Sequence, residues 1–333
     1  MTTDATLLDR TVHRLPLVGH DGRSGARLER IVLDDGTRLV VKRTSPAVDL
    51  VMRLNRAAVS REYELWRAGI LDQLPAGVGH AVVGAWVDGD DTVLAMRDLG
   101  DAVVGWGHRL SRQSWRHILR GATAVHRAFQ GAAVGGLCPL VDRVSLFAPW
   151  RMAPERDAGN PMAAAVLRGW ERFAEVVTAD VAEAVFGVLE RPDRLSAALS
   201  ERAATFIHGD LWLVNVALEA DQVTLLDWDL ATWAPAALEF ALFLNGNSSQ
   251  IDARRDELVD DFRSVWGDEH DEVALRLALF AGLADLGWNK ALDAVEHDDG
   301  TVRSRERADL DWWVAQARRT LELGLLDTRA GRE

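Results

Sequence analysis

The sequence has almost none of the residues that build disulfide frameworks and zinc centres. Cys138 is the only cysteine among 333 residues, so the chain cannot form an internal disulfide or a cysteine-based zinc site. It also lacks an apolar run long enough to cross a bilayer. The longest run, residues 273–288, is interrupted by Arg276 and Asp285 and is typical of a buried core helix. The first residues show no basic segment followed by an apolar one, so we expect a cytoplasmic protein without a secretory signal.

A surplus of basic residues is also missing. Asp and Glu total 51 against 38 Lys and Arg, which gives a formal net charge of -13. Nucleic-acid phosphates are bound by clustered Lys and Arg, so the composition argues against a nucleic-acid partner, and no membrane or obligate protein partner is evident. The acidic excess suits a cationic ligand, although solubility alone also explains it. No Gly-x-x-x-x-Gly-Lys-Ser/Thr loop occurs, which excludes a Walker-type nucleotide hydrolase.

Residues 1–97 have the pattern of an antiparallel sheet with one helix. Apolar residues recur at three- and four-residue spacing over 50–68, which predicts the helix. Strands precede and follow this helix, so the pattern is not a series of strand-helix-strand crossovers. Alternating apolar and polar residues, separated by turn residues, predict strands over 13–18, 27–33, 38–42, 81–87 and 92–96.

Residues 98–333 are mainly helical by the same criteria. One interruption, residues 205–230, contains two short apolar runs around a loop and predicts a small hairpin among helices. Strand character gives way to helix near residues 97–100, so we expect an α+β chain with domains 1–97 and 98–333. Apolar periodicity predicts helices over 113–129, 161–174, 179–189, 238–244, 253–266, 273–294 and 303–325.

The segment His208-Gly209-Asp210-Leu211-Trp212-Leu213-Val214-Asn215, followed by Leu225-Leu226-Asp227-Trp228-Asp229, contains the groups that phosphoryl transfer needs. That reaction requires a group to receive the proton of an alcohol, oxygen ligands for Mg²⁺ and a cation on the triphosphate. Asp210 and Asn215, five residues apart in one loop, can divide the first two tasks. Asp227 follows the next short strand and can face the same metal. Mg²⁺ prefers Asp, Asn and phosphate oxygens, so these residue types fit.

On these motifs the sequence resembles the aminoglycoside phosphotransferase and choline kinase-like family, relatives of the protein kinases. The resemblance covers most of the chain and is densest over residues 205–244. It implies a bilobal protein-kinase-like fold and an enzyme that uses ATP and Mg²⁺ to phosphorylate a hydroxyl of a small molecule. It also implies that Asp210 is the catalytic base, that His208 braces the loop, and that Asn215 and Asp227 hold Mg²⁺.

The same resemblance assigns roles in the strand-rich half. Lys42, at the end of the third strand, would contact the ATP phosphates and be held by an acid on the following helix. Glu62 matches the family position better than Glu64. Ser24, in the loop 19–25, could cover the phosphates with neighbouring backbone amides, although this loop is not a complete glycine-rich loop. Met96 lies in the segment 94–100, which resembles the hinge that binds adenine.

The acceptor is the least constrained part of the prediction. Trp212, within the catalytic loop, is the first candidate to contact substrate, because Trp faces bind cations and stack on sugar rings. Asp229 occupies a position that is often acidic in the family and is the second candidate. We expect a cationic acceptor, either an aminoglycoside, an amino sugar or an amino alcohol; a neutral sugar and a pseudokinase without turnover remain alternatives. Glu239 stands where the family usually has Asp. No Ala-Pro-Glu segment follows Asp227, which argues against a protein kinase.

Overall fold

The structure, a computed structural model, describes residues 5–17 and 25–326. The chain folds into two compact units. The first consists of residues up to 138 together with 206–232 and 249–253, and the second of residues 139–205, 233–248 and 254 onward. These units are defined by packing, and the functional division at residues 97/98 stays a prediction.

The first unit is built on a five-stranded sheet with the spatial order β1-β2-β3-β6-β5, in which every pair is antiparallel. The predicted antiparallel sheet is therefore confirmed. Its core contains Ile31, Leu33, Leu39 and Val41, which alternate along β2 and β3 and are almost fully buried. The first six strands of the chain are β1 (Thr11–Pro16), β2 (Arg27–Leu33), β3 (Arg38–Thr44), β4 (Val78–His80), β5 (Val82–Asp88) and β6 (Asp91–Arg97).

The helical segment predicted over 50–68 is interrupted. It forms α1 (Leu50–Leu54) and α2 (Arg61–Arg67). Arg56 has a left-handed φ of 52°, which stops α1 although the apolar pattern continues. Ser60 then begins the second helix, since its hydroxyl accepts a hydrogen bond from the N–H of Tyr63 at 3.4 Å. Because of this interruption, Glu62 lies in the first turn of α2, where it approaches Lys42 of β3.

One more helix and several short strands lie in or next to the segment 205–234. Helix α3 (Arg112–Ala128) begins at Ser111, whose hydroxyl accepts from the N–H of Ser114. Strands β8 (Val216–Glu219) and β9 (Gln222–Leu225) form the hairpin predicted within 205–230. Strand β4, which was not predicted, pairs in parallel with β9. The short strands β7 (Thr205–Ile207) and β10 (Thr232–Ala234) lie before and after this hairpin in the chain.

The second unit is helical, and its centre is α11. This helix is buried over most of its length and packs against α6, α9 and α12, as expected for the apolar run at 273–288. Within the described residues, no helix is long and apolar enough to span a membrane. The helices of this unit are α4 (Leu140–Arg143), α5 (Pro149–Asp157), α6 (Pro161–Val176), α7 (Ala179–Glu190), α8 (Asp193–Ser200), α9 (Ala236–Asn247), α10 (Arg255–Trp266), α11 (Glu272–Glu296) and α12 (Gly300–Glu322).

Candidate active site

The loop after β7 and the turn after β9 lie against each other in the first unit. Gly209 has a φ of +78°, and a Cβ at this position would lie 2.1 Å from the carbonyl oxygen of Leu230. Only glycine allows the two backbones to approach this closely. The residues on either side of Gly209, His208 and Asp210, are thereby held beside the turn that contains Asp227.

His208 links these two segments by hydrogen bonds. It is buried, its Nε2 lies 2.9 Å from the carbonyl oxygen of Leu226, and its Nδ1 lies 3.3 Å from the backbone nitrogen of Asp210. The carbonyl can only accept and the backbone N–H can only donate. The ring is therefore a neutral imidazole with its proton on Nε2 and a free electron pair on Nδ1. This arrangement supports the bracing role predicted from the family resemblance.

Asp210 and Asn215 close one turn of the loop after β7. The side-chain amide of Asn215 donates to the backbone oxygen of Asp210 at 2.9 Å and to its Oδ2 at 3.2 Å. The backbone N–H of Trp212 also donates to the Asp210 carbonyl, at 2.8 Å. Because the nitrogen of the Asn215 amide is occupied by Asp210, its oxygen is the atom left for a ligand.

Asp227 adopts an unusual backbone conformation. Its φ of 63° and ψ of 69° lie in the left-handed region, which costs a residue with a Cβ about 1–2 kcal/mol. The following residues form a 3₁₀ turn, Trp228–Leu230. The side chain of Asp227 is 36% exposed. Strain of this kind is often retained where a side chain must point in one functional direction.

Lys42 is buried in β3 and contacts two carboxylates. Its Nζ lies 2.9 Å from Oδ1 of Asp227 and 3.1 Å from Oδ2 of Asp229. Burial lowers the pKa of Lys42, but Asp227, Asp229 and Glu62 together raise it well above its ordinary value. The ammonium group is therefore a permanent cation in this site.

Glu62, in the first turn of α2, is more distant. Its Oε2 lies 4.0 Å from the Lys42 Nζ, and neither carboxylate oxygen has a hydrogen-bond partner of ordinary geometry among the described residues. Burial raises the pKa of Glu62 to about 8, and the carboxylates of Asp227 and Asp229 oppose the lowering effect of Lys42. Glu64, the alternative considered from sequence, is partly exposed.

These side chains line a cavity of ≈ 330 Å³ within the first unit. Lys42, Glu62, Asn215 and Asp227 provide polar groups, and the backbone segment 97–100 lines it as well. The volume is within the range of small-molecule and cofactor sites. The remaining walls are mainly apolar and include Leu17, Ala26, Leu28, Val40, Met96, Val103, Val214 and Leu226.

Asp227 and Asn215 offer a donor set that fits Mg²⁺. Both residues line the cavity, and both present hard oxygen ligands, a carboxylate and an amide oxygen. The described part of the chain contains no group of three or more His, Cys, Asp or Glu residues placed to hold a metal. Mg²⁺ is usually held by one or two carboxylates together with substrate phosphates rather than by such a cage.

The other predicted residues have different positions. Asp229 is buried and contacts Lys42, and it does not line the cavity. Trp212 is partly exposed and packs edge-to-face with Trp106, with ring centroids 5.0 Å apart. Glu239 is buried in the first turn of α9, and Ser24 lies outside the described residues.

Sequence reasoning missed two groups near the site. Ser60 was not considered, although a Ser at the start of a helical segment is a recognisable N-cap signal. Its hydroxyl donates to Oδ1 of Asp229 at 2.7 Å. Arg97 was also missed; it lines the cavity and forms an ion pair of 3.1 Å with Glu219, and no local pattern indicates this pairing.

Comparisons with known proteins agree on family and fold. Residues 29–276 match the profile of the family described as phosphotransferase enzymes. Among solved structures, choline kinase LicA from Streptococcus pneumoniae matches with 12% identity and a TM-score of 0.52, covering 93% of this chain and 95% of that one. Aminoglycoside phosphotransferase APH(3'')-Id from Streptomyces rimosus matches with 15% identity and a TM-score of 0.51, covering 84% and 96%. No curated protein sequence gives a significant match. The predicted protein-kinase-like fold is confirmed.

Proposed function

Because the chain belongs to the phosphotransferase enzyme family, we propose that it transfers the γ-phosphoryl group of Mg·ATP to a hydroxyl of a small molecule. The observation that carries this proposal is the grouping of Lys42, Asn215 and Asp227 on one apolar-walled cavity, with Asp210 hydrogen-bonded to Asn215. A cation, two oxygen ligands and a carboxylate are the groups that this reaction requires. We place the reaction in the cytoplasm, where ATP is available.

The cavity suits a nucleotide for two reasons. Its apolar walls, among them Val40, Met96 and Leu226, can cover the faces of a purine, and the backbone of residues 98–100 offers hydrogen-bonding groups to its edge. Lys42 lies in the same cavity and remains a cation, so it can contact the triphosphate.

Asp210 is the proposed base. The acceptor oxygen forms a bond to the γ-phosphorus, the bond from that phosphorus to the β–γ bridging oxygen breaks, ADP leaves, and the hydroxyl proton passes to the Asp210 carboxylate. Asn215 holds this carboxylate by a hydrogen bond to its Oδ2. His208 accepts a hydrogen bond from the backbone N–H of the same residue. Asn215 and Asp227 would hold Mg²⁺, which would neutralise phosphate charge.

We propose a cationic acceptor, namely an aminoglycoside, an amino sugar or an amino alcohol. The chain carries a net charge of -13, and Trp212, two residues after Asp210, offers a partly exposed ring to a cation or a sugar face. Structures of similar fold include a choline kinase and an aminoglycoside phosphotransferase. A pseudokinase is disfavoured because Lys42, Asp210, Asn215 and Asp227 are all retained.

The test is ADP release from ATP across a panel of aminoglycosides, amino sugars, choline-like alcohols and neutral sugars, with and without Mg²⁺. The proposal expects release with an amine-bearing class and none after chelation of the metal. Release with neutral sugars alone would contradict the cationic acceptor while keeping the reaction. No release together with no stabilisation by Mg·ATP in thermal melting would contradict the function as a whole.

The lysine content of the chain gives an independent test of the nucleotide site. Lys42 and Lys290 are the only lysines, and both are buried. An ATP derivative with an acyl-phosphate group should acylate Lys42 and leave Lys290 unmodified, and excess ATP should protect Lys42. Equal labelling of both lysines, unaffected by ATP, would contradict a nucleotide site at Lys42.

A further inference from the structure

Asp229 connects three segments of the first unit through one buried carboxylate. Oδ2 accepts from the Lys42 Nζ at 3.1 Å, and Oδ1 accepts from the Ser60 hydroxyl at 2.7 Å and from the backbone N–H of Glu62 at 3.3 Å. The backbone oxygen of Asp229 also accepts from Arg61 at 3.3 Å. The residue therefore joins strand β3, the start of α2 and the turn that follows Asp227.

The three acids around Lys42 are not equivalent. Glu62 approaches the ammonium group only to 4.0 Å and makes no hydrogen bond to it, whereas Asp227 and Asp229 do. The Asp227 side chain is 36% exposed and lines the cavity. The Asp229 side chain is 10% exposed and lies behind the cavity wall. A ligand in the cavity can therefore compete with Lys42 for Asp227, whereas Asp229 is not part of the cavity lining.

We propose that Asp229, rather than Glu62, is the positioning residue that fixes Lys42 and the start of α2 for nucleotide binding. The role of Lys42 toward the nucleotide rests on the proposed function. The contacts by which Asp229 positions Lys42 and α2 lie within the protein and do not require a ligand. Asp229 touches no bound ligand in this scheme and acts through Lys42 and α2.

The geometry explains why a carboxylate is needed at this position. A buried ammonium group must keep a counterion, since an unpaired charge inside a protein is strongly unfavourable. Asp229 lies apart from the cavity lining, so its contact with Lys42 does not depend on what binds to the partly exposed Asp227. Its other oxygen satisfies the Ser60 hydroxyl and a backbone N–H in the first turn of α2, where a negative charge also interacts favourably with the helix dipole.

The first test compares Asp229→Asn with Glu62→Gln and with Asp285→Asn. Asp285 is a matched control, because it is also a buried carboxylate, paired with Arg143 at 2.8 Å in the second unit. Each variant and the wild type are treated with a small amine-acylating reagent in the absence of nucleotide. The rate at Lys42 is read against the rate at Lys290, which serves as an internal reference.

Asp229→Asn should raise the relative reactivity of Lys42 by about 10-fold, the effect of losing a charge-assisted hydrogen bond. It should also weaken ATP binding by a similar factor. Glu62→Gln should change the Lys42 reactivity less, and Asp285→Asn should leave it unchanged. A larger effect of Glu62→Gln than of Asp229→Asn would overturn the proposal, as would equal effects of Asp229→Asn and Asp285→Asn.

A second measurement remains informative if Asp229→Asn does not fold. Ser60→Ala keeps the Asp229 charge and removes its 2.7 Å hydrogen bond together with the N-cap of α2. Ser111→Ala removes the N-cap of α3 and an exposed hydroxyl contact with Ser114 at 3.0 Å, but no bond to a buried carboxylate. Amide hydrogen exchange in the first turn of α2 should rise more in Ser60→Ala than exchange in the first turn of α3 rises in Ser111→Ala. Equal increases would overturn the link between Asp229 and α2.

The two proposals fail in different ways. If wild-type protein does not bind ATP, the proposed function is contradicted, while lysine reactivity and hydrogen exchange still decide the role of Asp229. If ATP binds but Lys42 reactivity does not respond to Asp229→Asn, the positioning role is contradicted and the proposed function stands.

Discussion

Replacement of Gly209 by alanine tests the contact that holds the loop containing Asp210 against the turn containing Asp227. The new Cβ would lie 2.1 Å from the Leu230 carbonyl oxygen and 2.9 Å from its carbonyl carbon. An ordinary carbon–oxygen contact is about 3.3 Å, so one of the two backbones must move by about 1.2 Å. Neither contact involves a flexible side chain that could turn away. The displacement must therefore be taken up by the loop containing Asp210 or by the turn containing Asp227.

The expected loss of stability has two parts. An alanine in the left-handed region costs about 1–2 kcal/mol, and insertion of an extra methyl group into a packed site costs about 1–3 kcal/mol. The free energy of unfolding should fall by about 2–5 kcal/mol. Gly36 is the matched control, since its φ is +84° and a Cβ there would meet no atom within 4 Å. Gly36→Ala should cost only the first part, about 1–2 kcal/mol.

Urea unfolding followed by tryptophan fluorescence measures both variants, and ADP release measures the effect on turnover. A shift of about 1 Å in a catalytic group can reduce the rate by about 100-fold, so Gly209→Ala should lose at least that factor. Gly36→Ala should keep wild-type turnover. If Gly209→Ala were as stable and as active as Gly36→Ala, the described contact between the two segments would be refuted.

Two further predictions concern buried charges. The pKa of Glu62 is raised from 4.5 to about 8. The native state therefore keeps a proton that the unfolded chain releases, and its stability relative to Glu62→Gln should fall as pH rises from about 4.5 to 8, by up to about 1.4 kcal/mol per pKa unit. Urea unfolding at several pH values checks this, and a constant difference would contradict it. Asp309 is fully buried and lies 2.7 Å from the Lys290 Nζ, so Asp309→Asn should cost about 3–5 kcal/mol. In the same assay the exposed Asp157→Asn should cost less than 1 kcal/mol; similar losses would contradict this burial argument.

The strand-rich part was predictable because its residues alternate regularly. Strand β2 begins and ends at the predicted residues, and the hairpin turns at 34–36 and 88–91 contain the Asp and Gly residues typical of such turns. The interruption between α1 and α2 was not predictable from apolar spacing, because it depends on the left-handed backbone of Arg56. Strand β4 has only three residues and is stabilised by pairing with β9, which is distant in sequence.

The helices α5 and α8 were missed for local reasons. Helix α5 contains Pro154, which usually disfavours a helix interior. Helix α8 has eight residues, too few for a clear periodic pattern. Both form in the packed second unit, where tertiary contacts outweigh weak local preference.

The candidate site was predictable as a set of residue types and not as a set of contacts. The motif around Asp210 and Asp227 indicates the chemistry, but the partners of Lys42 lie 185 and 187 residues away in the chain, and no local pattern ranks Asp229 above Glu62. One signal in the sequence was available. The chain is arginine-rich and has only two lysines, so the rarity of lysine draws attention to Lys42.

The most direct test of the proposed function is the effect of Asp210→Asn on binding and turnover, with Asp221→Asn in the exposed turn after β8 as the control. Calorimetry with Mg·ATP and transfer of the γ-phosphoryl group to an acceptor identified by the panel are measured on both variants. We predict that Asp210→Asn binds ATP like the wild type and loses at least about 100-fold in phosphoryl transfer, while Asp221→Asn is unchanged in both. Wild-type transfer by Asp210→Asn would contradict the assignment of the catalytic base and the mechanism built on it.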